Sequence, residues 1–174
     1  MFIDINAFHI ILFLLPAFFA NAIPVLLGGG TPIDFGRNFI DGKRLFGDGK
    51  TYRGFFAGVL CGILIGLIEY FILGDIFLLF ISIGASLGTM IGDLVGSFIK
   101  RRIGLDRGKP SLVLDQLMFI IFALLFSYNY IVTSGTYIDL ISVQSIIVIL
   151  LITFFMHKFS NVIANKLGLK KVPW

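Results

Sequence analysis

Cysteine is nearly absent from this 174-residue chain: Cys61 stands alone, so no disulfide can form within it. Histidine is also scarce, at two residues. No Ser-His-Asp or Cys-His set is offered, which argues against chemistry built on an activated side-chain nucleophile. Charge is thin at 14% of residues, against 57% hydrophobic, twenty Phe and a mean hydropathy of +0.99. That balance excludes an ordinary soluble domain. Basic residues are missing ahead of the first apolar run, where "MFIDINAF" carries only Asp4, so a cleaved signal peptide is not expected. A phosphate-binding P-loop is missing too. "LFGDGKTYRG" (Leu45 to Gly54) contains Gly-Lys-Thr, but Arg44 occupies the place of the required first glycine, and no β-rich run precedes it. Gly, Lys and Thr still offer donors and a charge to an anion.

What is present is apolar and long. Five runs, at about 8–27, 54–73, 76–99, 114–133 and 143–163, have the length and composition of membrane helices. The fold class expected is therefore an all-α integral membrane protein, a single domain over residues 1–174.

The fourteen basic residues give the orientation. Arg37, Lys43, Arg44, Lys50 and Arg53 fall in the first loop, about 28–53. Lys100, Arg101, Arg102, Arg107 and Lys109 fall in the third, about 100–113, and Lys158, Lys166, Lys170 and Lys171 toward the C-terminus. The other loops and the N-terminus have none. The positive-inside rule then places the N-terminus outside and the C-terminus in the cytosol. Basic loops beside an anionic leaflet account for the pI near 9.3 without nucleic acid.

The third run, "IGASLGTMIGDLVGSFIKRR", sets Gly84, Gly88, Gly92 and Gly96 at intervals of four, a stripe that lets backbones approach closely within the helix bundle or across a homodimer. Asp93 interrupts the apolar pattern. A carboxylate in a membrane helix costs about 2.5–3.5 kcal/mol at the centre, and its default reading is a functional site. Ser97, Lys100 and Arg101 follow on one face. Asp115, just within the start of the fourth run, should lie at similar depth. Two facing carboxylates repel unless a cation or proton intervenes, which leaves two readings open: a Mg²⁺ shared with nucleotide phosphates, or neutralisation by Lys100, Lys109 or an arginine. His9 and Glu69 lie toward the outer ends, where interfacial placement explains them. Asn21 and Pro24 suit a kink or a polar contact at the site, and Asn161 and Asn165 could line it.

"GDLVGSFIKRRIGLDRGKPSLVLDQL" resembles the CDP-lipid-forming cytidylyltransferases, the group that includes phosphatidate cytidylyltransferase. "ANAIPVLLGGGTPIDFG", "DGKRLFGDGKTYRGF" and "NKLGLKKVPW" resemble its archaeal branch, the CDP-archaeol synthases. The resemblance runs in order from the first helix to Trp174. The chain departs from it in lacking a His-Gly-Gly segment and Asp-Arg-x-Asp, and in carrying Met118 after Asp115-Gln116-Leu117, where the archaeal pattern has another Asp.

The resemblance implies a membrane enzyme working at the cytosolic face of the cell membrane. It would take CTP and an isoprenoid ether-lipid phosphate, 2,3-bis-O-geranylgeranyl-glycerol 1-phosphate, and yield CDP-archaeol and pyrophosphate. It implies Mg²⁺ on Asp93 and Asp115, with Lys100 beside them as a catalytic residue. Lys50, Thr51, Arg53, Arg101 and Lys109 would hold phosphates and Ser97 would donate to one. Two rival readings are a CTP-dependent polyprenol or dolichol kinase, which needs a base to activate an alcohol, and a small transporter with the aspartates as an ion path. A transporter's polar path should reach both faces, whereas the polar residues here gather at one.

Overall fold

The structure, a computed structural model, describes residues 6–105, 111, 114 and 117–168. It is all-helical: α1 (Ala7–Leu27), α2 (Tyr52–Leu73), α3 (Ile76–Arg102), α4 (Met118–Ser134) and α5 (Val143–Lys166). A short 3₁₀ turn, Ile138–Ile141, precedes α5. Among the described residues no strand forms; two isolated bridges, Pro32 with Thr51 and Asn38 with Arg44, tie the first loop to itself. α1, α2, α3 and α5 are long and apolar enough to cross a membrane, while α4 is shorter at 17 residues. The described part of α4 begins at Met118, within the expected run of about 114–133.

Each start has a local cause. The Asn6 side chain accepts from the N–H groups of Phe8 and His9 to cap α1. Thr51 Oγ1 accepts from Gly54 N at 3.2 Å to cap α2, and Asp75 caps α3 through Phe77 N. α2 ends on Gly74, whose left-handed conformation (φ 74°) lets the chain reverse at once into α3.

The bundle is held by two glycine rows. On α3, Gly84, Gly88, Gly92 and Gly96 lie against the α4 backbone and its approach: a Cβ on Gly92 would stand 2.5 Å from Met118 O, and one on Gly96 3.0 Å from Leu114 O. The α3 stripe is thus occupied by an internal contact. α2 carries a second row: a Cβ on Gly58 would meet Ala20 O at 2.6 Å, and one on Gly62 would meet Pro16 O at 2.8 Å, both on α1. Close backbone approach substitutes here for the hydrophobic drive that lipid does not supply. Buried hydroxyls add hydrogen bonds, Ser127 Oγ to Ile81 O at 2.9 Å and Ser82 Oγ to Glu69 Oε2 at 3.4 Å.

The two ends of the bundle differ. At one end the start of α1, the α2–α3 turn and the α4–α5 turn meet: His9 Nδ1 lies 2.7 Å from Asp139 Oδ1, and Tyr137 donates to Asp75 Oδ2 at 2.9 Å. Burial, with the neighbouring Asp75 and Glu69 carboxylates, pushes the Tyr137 phenol above its usual range. The fully buried Ile10, Phe13, Ile131, Leu140 and Ile149 gather toward this end. The other end, where α1 stops, α2 starts and α3 finishes, is basic and holds the long first loop.

Candidate functional site

The first loop is a folded structure built around one carboxylate. Asp34 has no exposed side-chain surface and takes Arg44 Nη2 on Oδ1 at 2.8 Å, with Phe46 N (3.0 Å) and Gly47 N (2.8 Å) on Oδ2. Phe35 and Gly36 follow at positive φ (47° and 78°) and turn the chain so that Gly36 N also reaches Asp34, at 3.1 Å. Burial alone would raise the Asp34 pKa, but Arg44 and the three N–H groups outweigh it and hold the carboxyl well below the usual carboxylate range. In return Asp34, joined by Asp48 at 2.7 Å, holds the Arg44 pKa above its usual value.

α3 supplies the other half of the frame. Arg102 lies between the rings of Phe39 and Phe98, 5.0 and 4.7 Å from their centroids. It reaches Asp41 Oδ1 at 2.7 Å and the carbonyl of Lys43 at 3.0 Å. Lys43 Nζ answers on the Arg102 carbonyl at 2.9 Å. Arg101 donates to the carbonyls of Phe46 and Leu105. These contacts dock the loop over the end of α3.

The docked loop brings Lys50 to Asp93. Lys50 Nζ is 2.5 Å from Asp93 Oδ2, with the two side chains 27% and 30% exposed. The Lys50 backbone is fixed on both sides, its N–H on Gly47 O at 3.1 Å and its carbonyl accepting from Ile33 N at 2.8 Å. Pro24, Thr51, Gly54, Phe55, Met90 and Leu94 close a small cavity around the pair. Its volume of about 30 Å³ takes a water molecule but not a phosphate chain.

Of the residues expected at the site, Lys50, Thr51 and Asp93 are brought together. Thr51 is buried, its oxygen engaged as the α2 cap. Arg53, two residues on, is exposed at the first turn of α2. Ser97 is buried one turn beyond Asp93, and Lys100 lies half-buried in the last turn of α3. Arg101 is engaged with loop carbonyls. Asp115 and Lys109 lie outside the described residues. Pro24 lines the cavity, whereas Asn21, Asn161 and Asn165 do not. Glu69 is buried rather than interfacial, hydrogen-bonded by Ser82 within the bundle.

Sequence reasoning missed the frame of Asp34, Arg44 and Arg102. A signal was available: the first loop holds three acids, Asp34, Asp41 and Asp48, and all three pair with arginine. Part of the loop's positive charge is therefore structural.

Asp93 offers one carboxylate, and no three His, Cys, Asp or Glu converge on a metal position among the described residues. This donor set fits Mg²⁺, which is commonly held by one or two carboxylates with substrate phosphates and water completing its octahedron. It does not fit a metal such as structural zinc that needs an all-protein cage.

Known proteins share this chain's pattern almost end to end. Residues 2–174 match the CarS-like family model, CDP-archaeol synthase. The CDP-archaeol synthase of Pyrococcus horikoshii is 46% identical over 167 residues, which cover 93% of this chain and 94% of that protein. That of Thermococcus kodakarensis is 48% identical over 171 residues, covering 93% of each. A solved structure, described as an intramembrane enzyme for archaeal membrane lipid biosynthesis, superposes with a TM-score of 0.79 at 36% identity. It covers 90% of this chain and 95% of its own. With this fold and these matches, the chain belongs to the CDP-archaeol synthase family of membrane-embedded cytidylyltransferases.

Proposed function

We propose that this enzyme transfers the cytidylyl group of CTP to the phosphate of an isoprenoid ether lipid, 2,3-bis-O-geranylgeranyl-glycerol 1-phosphate, releasing pyrophosphate and forming CDP-archaeol. The observation that carries the proposal is the Lys50–Asp93 pair, a cation and a carboxylate side by side where α2 starts and α3 nears its end. Such a pair is costly in a membrane bundle unless it is used. The family match supplies the reaction class.

The chemistry asks little of the protein in proton transfer. A lipid phosphate oxygen is already anionic at neutral pH; it attacks the α-phosphorus, the new P–O bond forms, and the α–β bridging bond breaks with its electrons leaving on pyrophosphate. No base is required, which agrees with a cavity whose one described carboxylate is paired with lysine. Catalysis is then positioning and charge stabilisation. Lys50 would turn to the triphosphate, with Arg53 and the positive end of the α2 dipole beside it, which favours an anion. Lys100, Lys109 and Ser97 would serve the remaining phosphate oxygens. Asp93, with Asp115, would hold Mg²⁺, which when bound neutralises charge on the triphosphate. Arg101 would act through the loop it anchors.

The basic end of the bundle would face the cytosol, where CTP is found, by the positive-inside rule. The lipid phosphate would lie at that leaflet, its chains running along the helices.

The test is pyrophosphate release by the purified full chain in detergent, omitting CTP, Mg²⁺ and lipid phosphate in turn. Release should require all three and fall at least about a hundredfold in Asp93→Asn, the scale of losing one charge-stabilising group. Release that survives without lipid phosphate, or in Asp93→Asn, would refute the proposal.

A further inference from the structure

Lys50 does more than wait for a phosphate: its ammonium occupies the carboxylate oxygen that a divalent cation would need. We propose that Lys50 is a built-in substitute cation for Asp93, so that metal and nucleotide can be taken up tightly only together. The inference rests on the cytidylyltransferase reading, because it assumes that Asp93 receives a metal and Lys50 a phosphate.

Three features support it. The first is competition for one atom. Lys50 Nζ is 2.5 Å from Asp93 Oδ2, and Mg²⁺ would bind such an oxygen at about 2.0–2.1 Å. Both cations on that oxygen would stand within about 5 Å of each other, where like charges repel.

The second is the lining. Pro24, Phe55, Met90 and Leu94 offer Asp93 no hydrogen-bond donor from their side chains. With its side chain 30% exposed, the carboxylate draws no compensation from this wall, and the ammonium supplies its countercharge in the free protein.

The third is the division between rigid and mobile parts. The Lys50 backbone is pinned between Gly47 and Ile33, and Thr51 next to it caps α2. Only the four-carbon stem is left to swing, and the neighbouring residue Arg53 and the start of α2 mark where phosphates would draw it. Three guanidinium groups at this end of the bundle are committed elsewhere, Arg44 and Arg102 to loop carboxylates and Arg101 to backbone carbonyls.

The exchange then runs in one direction for each partner. Phosphates relieve Asp93 of its lysine, and the vacated carboxylate accepts the metal those phosphates bring. Linkage makes the effect reciprocal: CTP raises metal affinity and metal raises CTP affinity by the same factor.

The experiment is Mn²⁺ binding to the full chain in detergent, followed by the loss of the free-ion electron paramagnetic resonance signal, with and without CTP and with no lipid phosphate, so that no turnover occurs. Lys50→Gln should bind Mn²⁺ about tenfold more tightly than the unmodified chain in the absence of CTP, and the further gain from CTP, after subtracting the Mn²⁺ that CTP binds without protein, should be about tenfold smaller than in the unmodified chain. Lys50→Arg, which keeps the charge, should restore weak binding without nucleotide. Asp93→Asn introduced beside Lys50→Gln should abolish the gain. Gel filtration confirms that each variant is folded. If Lys50→Gln binds Mn²⁺ no more tightly than the unmodified chain, while Asp93→Asn still removes the CTP-dependent binding, the substitution device is wrong and the enzymatic reading stands. If Asp93→Asn leaves Mn²⁺ binding intact with and without CTP, the metal role of Asp93 is wrong and the device falls with it.

Discussion

Arg44 closes on Asp34 across the first loop, Nη2 to Oδ1 at 2.8 Å, and the carboxylate it holds has no exposed surface. The pair is remote from Asp93 in sequence, yet it shapes the strand of loop that delivers Lys50. Asp34→Asn keeps the size of the side chain and removes its charge. The loop should lose about 2 kcal/mol of local stability, the scale of charge-assisted hydrogen bonds lost from a buried acceptor. Trypsin cleavage after Lys43 and Arg44 should become faster than in the unmodified chain.

The same carboxylate sets an acid limit on the loop. Asp34 has a folded pKa below its unfolded value, which is about 3.9. Its stabilising effect is therefore complete above about pH 4 and is withdrawn as pH falls from there toward the folded pKa. Hydrogen exchange at the amides of Phe46 and Gly47, which donate to Asp34, should keep constant protection between pH 8 and 5. Protection should fail below about 4, and in Asp34→Asn that acid step should disappear.

Arg102 is held by shape as well as by charge, stacked between Phe39 and Phe98 while its guanidinium reaches Asp41. Lysine keeps the charge but cannot stack as a plane or divide its donors among Asp41 and the carbonyls of Lys43 and Arg44. Arg102→Lys should cost about 1–2 kcal/mol, read as a lower unfolding temperature in detergent. Pyrophosphate release should fall through loop misplacement, with a larger effect on the KM for CTP than on kcat.

The glycine stripe on α3 makes a graded prediction. A Cβ on Gly88 would stand 2.6 Å from the Phe122 carbonyl carbon and closer still to its oxygen, both rigid backbone, whereas on Gly96 the nearest atom, Leu114 O, is at 3.0 Å. Gly88→Ala should push α3 and α4 apart and cost about 1–3 kcal/mol. Gly96→Ala should cost well under half as much. Thermal unfolding of the two variants side by side reads the difference.

How far this was legible from sequence depends on which force was at work. The helices are set by apolar runs of membrane length, a property of composition alone, and Asp93 stood out because a carboxylate in such a run is rare. The α3 stripe can be read from its four-residue spacing, and the matching row Gly54, Gly58, Gly62 and Gly66 on α2 carries the same signal. The partner of Asp93 was not legible. Lys100 and Lys109 were nearer in sequence, but the loop fold around Asp34 brings Lys50 instead, and that fold depends on side chains of Arg44 and Arg102 meeting carboxylates across the loop. Contacts of that kind carry no periodic signal.

The measurement that tests the central claim most directly follows the label. The full chain in detergent is given Mg²⁺, the geranylgeranyl glycerol phosphate and CTP labelled at either the α- or the γ-phosphorus, and the lipid is extracted. Cytidylyl transfer predicts α-label in the lipid fraction, γ-label only in pyrophosphate, and neither transfer in Asp93→Asn. Label from the γ-phosphorus in lipid, with none from the α, would show a kinase and contradict the account.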